Sequence, residues 1–239
     1  MVVGAGDDGN DGQVGTWDFD ERTFTTTTQA NRVNAVRVRA RRLLLRGRDY
    51  GLAGLDLALP QAGAGLSTAL KKGDAATRDR LLAQVKAEDA GLLYWTGAAW
   101  ASAISNSRDD LKLVGELPQA VALMKRALEL APDYEEGAVQ EFFGIYLAGK
   151  DKGEGGGIDV AKRHFARARE LSKNKRLGVL VNQAEVISVQ TQNRAEFEAL
   201  LKEVVAYDVD SDLDHRLVNV LAQRRAAWLL ARTDELFAN

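Results

Sequence analysis

The amino-acid sequence predicts an all-α protein made of stacked antiparallel helical hairpins. Only 3 of its 239 residues are proline, and alanine and leucine are abundant, a composition that favours helix over strand. Apolar residues recur at three- and four-residue steps along most of the chain, as on the buried face of an amphipathic helix. No segment shows a convincing alternation of period two, so no strand is expected.

The first 30 residues are predicted to form a flexible tail. Between Asp7 and Glu21 there are six acidic residues and no basic one, and a run of threonines follows from Thr25 to Thr28. Such a segment offers too little apolar surface to offset the entropy that ordering would cost. The helical domain is therefore expected to begin near residue 31.

The predicted helices follow one another with recognisable boundary signals. A first amphipathic helix, with Val36 and Leu43 on its apolar face, begins near residue 31 and ends before Pro60. Asp74 is a suitable cap for a helix that reaches Val85. Pro118 suits the first turn of a helix that must end before Pro132. Further helices are expected at residues 92–104, 135–148, 158–171, 177–190, 194–207 and 214–231.

Two of these helices share a small–large–small pattern at steps of four and three residues. Its members are Ala120, Met124 and Ala127 in one helix, and Ala161, Phe165 and Ala168 in another. The second helix of a tetratricopeptide repeat (TPR) has this form, because small residues let the paired helix approach while the large one fills the gap. A generic helical bundle is the alternative. The repeat interpretation predicts a single TPR-like domain over residues 31–237.

The composition argues against several classes of function. The formal net charge is -2, whereas nucleic-acid binding needs a basic surplus, and the seven arginines from Arg32 to Arg48 point in several directions around a helix. Cysteine is absent, and His164 and His215 are the only histidines, which leaves no recognisable metal site, cofactor site or nucleophile–base pair. No apolar run reaches about 18 residues, so no transmembrane helix is expected. We therefore expect a binding protein and not an enzyme.

Aromatic residues on two predicted helices suggest a binding surface. Neighbours such as Tyr94 and Trp95 cannot face the same side of a helix, so some aromatic side chains should line a groove or interface. Core packing is the alternative interpretation for most of them. Arg108 is a polar candidate near the same surface. The predicted ligand- or partner-binding residues are Tyr94, Trp95, Trp100, Arg108, Glu141, Phe142 and Tyr146.

Short stretches spread over about residues 38–237 carry a resemblance to a known family. They are ARRL at 40–43, RDYGL at 48–52, LYWTGAAW at 93–100, SRDD at 107–110, ELP at 116–118, MKRALEL at 124–130, PDY at 132–134, HF at 164–165, RAEF at 194–197, QRRA at 223–226, WLLAR at 228–232 and DELF at 234–237. Together they resemble the T component of TRAP transporters, a TPR-like periplasmic family. No single stretch is diagnostic, but the combination is specific.

The resemblance implies a non-catalytic accessory of a solute-uptake system that associates with the periplasmic substrate-binding (P) subunit. It also implies a homo-oligomer, similar to the trimers of the family, whose hollow interior offers a path for a small organic ligand. The family usually begins with a lipoprotein signal and a lipid-bearing cysteine, and neither is found in this sequence. A periplasmic location is thus what the resemblance implies, and a cytoplasmic TPR-like interaction scaffold is the alternative.

Overall fold

A computed structural model describes residues 14–18, 23–27, 29–59 and 65–237 of the chain. The predicted fold class is confirmed, because the described chain is dominated by helices that pack as antiparallel pairs. The chain divides into two compact units, Met1–Arg126 and Ala127–Asn239. Among the described helices, none combines the length and the apolar character that a membrane crossing requires.

The first unit begins with a two-stranded antiparallel hairpin. Strand β1 (Val14–Asp18) pairs with strand β2 (Thr23–Thr27), with Val14 opposite Thr27 and Asp18 opposite Thr23. No strand was predicted here, and the difference has a local cause, since β-branched threonine and aromatic residues favour extended backbone. The other residues before position 29 lie outside the described part of the chain, so the flexible tail stays a prediction.

Four helices of the first unit begin and end close to the predicted boundaries, whereas two short helices, Gly65–Lys72 and Leu111–Val114, were not predicted. In chain order, the helices of this unit are α1 (Gln29–Ala58), α2 (Gly65–Lys72), α3 (Ala75–Leu82), α4 (Ala90–Ser105), α5 (Leu111–Val114) and most of α6 (Leu117–Leu130). Asp74 caps α3 as predicted, because its carboxylate accepts a hydrogen bond of 3.1 Å from the backbone N–H of Thr77. Pro118 occupies the first turn of α6, where its missing N–H costs nothing.

Helices α1 and α4 pack closely through a row of glycines on α1. The contacting pairs are Gly47 with Ala99, Gly51 with Thr96, and Gly54 with Leu92. The two helices run antiparallel, since the α4 numbers fall as the α1 numbers rise. A Cβ atom at Gly51 would overlap the hydroxyl of Thr96, so this position needs glycine. Leu52 and Leu55 of α1 complete the buried face.

The second unit continues with further helical pairs. Its helices are α7 (Tyr134–Ala148), α8 (Ile158–Leu171), α9 (Gly178–Gln183), α10 (Arg194–Ala206), α11 (Arg216–Leu230) and α12 (Thr233–Leu236). Helix α9 runs directly into a π-helical turn, Ala184–Ser188, so the two together form the helix predicted at 177–190. In the core behind them, the rings of Phe197 and Phe237 meet edge to face with centroids 5.0 Å apart.

The small–large–small positions are buried as the repeat interpretation requires. Ala120, Met124, Ala127, Ala161, Phe165 and Ala168 are all fully buried. In the second unit, a Cβ atom built at Gly144 of α7 would lie only 2.9 Å from the ring of Phe165 on α8. The glycine therefore lets the aromatic ring fill the space between paired helices, as in a TPR hairpin.

Candidate functional site

Tyr94 and Trp95 form an aromatic pair on α4 of the first unit. Their ring centroids are 5.0 Å apart and the planes meet at 74°, an edge-to-face arrangement. Trp95 keeps 59% of its surface exposed, whereas Tyr94 is half-buried. The structure thus brings these two predicted residues together and presents Trp95 to the outside of the unit.

Trp100 lies on the same helix but is fully buried. Its indole N–H donates a hydrogen bond of 2.9 Å to Oε2 of Glu116, and the guanidinium of Arg48 lies 4.9 Å from the ring centre. Arg48 also donates to the same Glu116 oxygen at 3.2 Å. Trp100 was predicted to contribute to a binding surface, but in this unit it is a core side chain with a satisfied donor.

Arg108 follows α4 in the first unit and is exposed. It lines a cleft of about 530 Å³ that also contains Arg37 and Arg41 from α1. Three guanidinium groups therefore border one cleft. Arg108 was predicted as a binding residue, but no local sequence pattern indicated that Arg37 and Arg41 would line the same cleft.

Glu141 occupies a buried position on α7 of the second unit, and both of its oxygens have partners. Oε2 accepts a hydrogen bond of 2.8 Å from Arg176, and Oε1 accepts one of 2.7 Å from Asn182. The contacts tie α7 to the segment that contains α9. With both oxygens engaged inside the protein, Glu141 is built to hold neighbouring helices in register.

Phe142 and Tyr146 stack on each other one turn apart on α7. Their ring centroids are 6.1 Å apart with the planes only 9° from parallel, and both side chains are half-buried. Phe143 meets Phe142 edge to face at 5.3 Å, and the Lys150 ammonium lies 5.8 Å from the Tyr146 ring. The second unit therefore carries an aromatic surface with a cation at one end.

His164 packs at the edge of this aromatic group. Its ring lies 5.7 Å from that of Phe143, and Nδ1 is 2.8 Å from Oε1 of Gln140. Since an amide oxygen can only accept, Nδ1 carries the proton in this pair. Burial, with a smaller contribution from the charge of Arg163, holds the pKa of His164 below its usual value. The neutral ring behaves as a polar packing residue.

His215 belongs to an ionic cluster in the second unit that the sequence analysis missed. Nε2 lies 2.7 Å from Oε2 of Glu136, and Nδ1 lies 3.2 Å from Oδ2 of Asp212. The ammonium of Lys175 is 2.8 Å from the same Asp212 oxygen. The hydrogen bond from Lys175, with a smaller one from His215, lowers the pKa of Asp212 to about 2.

The backbone at the start of α7 positions Glu136 for this cluster. Glu135, Glu136 and Gly137 all have positive φ, at 48°, 53° and 86°. Left-handed backbone costs a non-glycine residue on the order of 1–2 kcal/mol, so the contacts around it must offset that strain. Arg176 provides one of them by donating to the carbonyl of Glu135 at 3.3 Å.

An exposed apolar row on α11 is a second feature that the sequence analysis missed. Leu217, Leu221 and Trp228 lie at steps of four and seven residues, and each exposes more than half of its side chain. The guanidinium of Arg232 stacks over Trp228 with 4.2 Å to the ring centre. Helical spacing identifies such a row in the sequence, but only the packing of the unit tells whether it is buried.

The part of the chain that the structure describes contains no candidate metal-binding site. No group of three or more histidine, aspartate or glutamate side chains there has a geometry that could hold an ion. Instead, Asp212 contacts the ammonium of Lys175, and Nε2 of His215 contacts Glu136.

Comparison with known proteins relates the chain to a transport family. A family model described as TRAP transporter T-component matches residues 16–237. A curated protein of Treponema pallidum (strain Nichols), described as an uncharacterized protein, is 30% identical over 199 residues. That alignment covers 83% of this chain and 60% of the relative, so this chain spans about 60% of the length of the curated relative it matches. On the extent of the family match, the chain belongs to the TRAP transporter T-component family.

Proposed function

We propose that this protein is a non-catalytic accessory of a TRAP-type transport system that binds the periplasmic substrate-binding subunit. Family membership supports the transport role. The observation that carries the binding role is the exposed Trp95, which lies on a helix whose next tryptophan is completely buried. Exposed aromatic side chains that are supported by packed neighbours are the usual anchors of protein interfaces.

The partner experiment is a co-purification of the full chain with the substrate-binding subunit of the same transport system. Trp95→Ala should weaken the association by on the order of 30-fold, since an aromatic anchor contributes about 2 kcal/mol or more. Leu111→Ala is the matched control, because Leu111 is an exposed apolar residue of the same unit and is 81% exposed. Failure of the unmodified chain to associate with the subunit would overturn the transport role.

The stacked rings of Phe142 and Tyr146 are our candidate contact for a small organic ligand. Half-buried parallel rings offer an apolar surface, and Lys150 adds a positive charge beside it. Glu141 would act through its bonds to Arg176 and Asn182 by keeping α7 in place. Phe142→Ala should reduce binding of a hydrophobic fluorescent dye, whereas Phe197→Leu, a change in the core of the same unit, should leave the dye signal unchanged if the unit remains folded.

We also propose that the protein forms a homo-oligomer, a trimer by family resemblance. The exposed row Leu217, Leu221 and Trp228 supports self-association, since a terminal helix without a partner normally presents a polar outer face. Light scattering of the full chain should give three times its mass of 26.0 kDa. Leu221→Glu should shift the mass towards one chain, and a single-chain mass for the unmodified protein would contradict the proposal.

A periplasmic location is part of the proposal because the family acts beside the periplasmic substrate-binding subunit. Cell fractionation, with the start of the native protein mapped by mass spectrometry, tests it directly. Recovery of the native protein only in the cytoplasmic fraction would instead support the alternative function, an intracellular interaction scaffold.

A further inference from the structure

The arginine-lined cleft of the first unit has the composition of an anion site. It lies between the N-terminal half of α1 and the end of α4, with a volume of about 530 Å³. Arg37, Arg41 and Arg108 contribute three guanidinium groups, and the described lining contains one carboxylate, that of Asp109. The cleft therefore has a positive surplus in a chain whose net charge is slightly negative.

The positive charge of the cleft is only partly compensated by neighbouring residues. Arg41 lies 3.5 Å from a carboxylate oxygen of Asp110, but that carboxylate also accepts the backbone N–H of Leu113 as the cap of α5. Within the described residues, Arg37 and Arg108 form no hydrogen bond and no ion pair. Two guanidinium groups at the cleft thus keep their donors available to a ligand.

Other arginines of the same unit form ion pairs with carboxylates. Arg48 is paired with Asp49 at 3.0 Å and with Glu116 at 3.2 Å, and Arg78 is paired with Asp79 at 2.7 Å. Those pairs place guanidinium groups against packed surfaces and satisfy them internally. Unpaired guanidinium groups from two segments that line one cleft are a different arrangement, and one that a bound anion would complete.

We propose that this cleft binds a small molecule that carries carboxylate or phosphate oxygens. The planar guanidinium fork matches two oxygens of either group, which makes arginine the preferred residue for this recognition. Ser105 and Asn106 in the lining offer further donors, and the volume falls within the range of small-molecule sites. The inference gives a chemical role to Arg108, which the sequence predicted as a binding residue, and it does not require the transport partner.

Titration calorimetry on the full chain at low ionic strength tests the proposal. The probes are inorganic phosphate and malonate, with dimethyl malonate as a neutral molecule of similar shape. We expect saturable binding of at least one of the two anions and none of the ester. Arg37→Gln and Arg108→Gln should each weaken binding by about tenfold, the loss expected for one charge-assisted hydrogen bond, and the double variant should abolish it.

Arg42→Gln is the matched control. Arg42 lies on the same helix and is exposed, and its replacement removes the same charge, but it does not line the cleft. An equal loss of binding in Arg42→Gln would indicate general electrostatic attraction and would overturn the site, as would the absence of anion binding to the unmodified protein. Preference for phosphate or for malonate identifies which oxyanion the cleft accepts.

The titration is independent of the partner experiment, so the two proposals fail separately. A chain that binds the anion but does not co-purify with the substrate-binding subunit keeps the site and loses the transport role. A chain that binds the subunit but neither anion loses only the site. Circular dichroism of each variant confirms that the helices are intact before its affinity is compared.

Discussion

Each helical unit packs a glycine of one helix against a bulky side chain of another, but the bulky residue differs between the units. In the first unit, Gly97 of α4 faces Met124 of α6, and in the second, Gly144 of α7 faces Phe165 of α8. In both, a Cβ atom built on the glycine would lie 2.9 Å from the bulky residue. The spacing is the same, but methionine is flexible whereas a phenylalanine ring is rigid. The same small–large–small pattern therefore packs both units, but we expect the first unit to tolerate substitutions at this contact better than the second.

Removing the bulky residue should have the largest effect. Phe165→Ala is expected to lower the free energy of unfolding by about 3–5 kcal/mol, because it removes a ring and leaves a cavity. Met124→Ala should cost less, about 2–3 kcal/mol, since fewer buried atoms are lost. Urea unfolding followed by circular dichroism measures both, with the exposed Leu57→Ala as control. A larger loss for Met124→Ala would break the comparison.

The next effect concerns one carboxylate in each unit that pairs with an arginine, Glu141 in the second unit and Glu116 in the first. Glu141→Gln should cost about 1.5–3 kcal/mol, because it removes the charge that pairs with Arg176 at a side chain that is 12% exposed. Glu116→Gln should cost no more than about 1 kcal/mol, because the Glu116 side chain is 31% exposed and its pair with Arg48 is better screened.

Hydrogen exchange by mass spectrometry shows which unit loses stability in each of these two variants. Protection should fall in the second unit for Glu141→Gln and in the first for Glu116→Gln. Equal destabilisation by both variants would show that exposure does not distinguish the two carboxylates.

Filling the glycine positions should have a smaller effect that differs between the units. Gly144→Ala is expected to cost about 1–2 kcal/mol, since overlap with the ring of Phe165 exceeds the gain of about 1 kcal/mol in helix propensity. Gly97→Ala should cost less than about 1 kcal/mol, because Met124 can rotate away. The melting temperatures of the two variants show which substitution is the more destabilising.

Gly149→Ala is a control for these two substitutions. A Cβ atom there meets its nearest neighbour only at 4.0 Å, so the melting temperature should stay within the experimental error of the unmodified chain. If Gly97→Ala is the more damaging variant, the backbone oxygen of Ala120, 3.2 Å from the added atom, dominates over the flexible side chain.

The smallest expected effect is a pH dependence specific to the second unit. The pKa of Asp212 is about 2 in the folded protein and 3.8 in its ordinary state, so its ion pair with Lys175 stabilises the fold above about pH 4. The stabilisation should disappear as the pH falls from about 4 to 2, because the carboxylate becomes protonated in both states. The urea midpoints of Asp212→Asn and the unmodified chain should therefore converge over that range. A constant difference would contradict the assigned pKa.

The sequence predicted the interior of the helical pairs well because the signal is local. Small and large residues at steps of four and three lie on one face of a helix, so Ala161 and Phe165 could be assigned to an interface without knowledge of the partner helix. The buried face of the first helix was harder to predict. Val36 and Leu43 were assigned to its apolar face, yet both are exposed. Leu52 and Leu55 are buried instead, and the glycine row meets α4.

The candidate site was less predictable because its geometry depends on distant residues. Trp95 and Trp100 have the same side chain on the same helix, and only the packing of α4 on its neighbours decides which one is exposed. Glu141 is engaged by Arg176, 35 positions away, and Arg37 shares a cleft with Arg108. No local pattern encodes these pairings, since they follow from which helices lie side by side.

The two tryptophans of α4 give this protein an internal optical reference. Trp100 is sealed in the core beside a carboxylate, so its emission should respond only to unfolding, whereas Trp95 is open to solvent and to quenchers such as iodide. With Trp17 and Trp228 replaced by phenylalanine, a single spectrum would report two events separately. A blue shift with reduced quenching at constant core emission would then mark the covering of the Trp95 face, and hence the moment at which a partner docks.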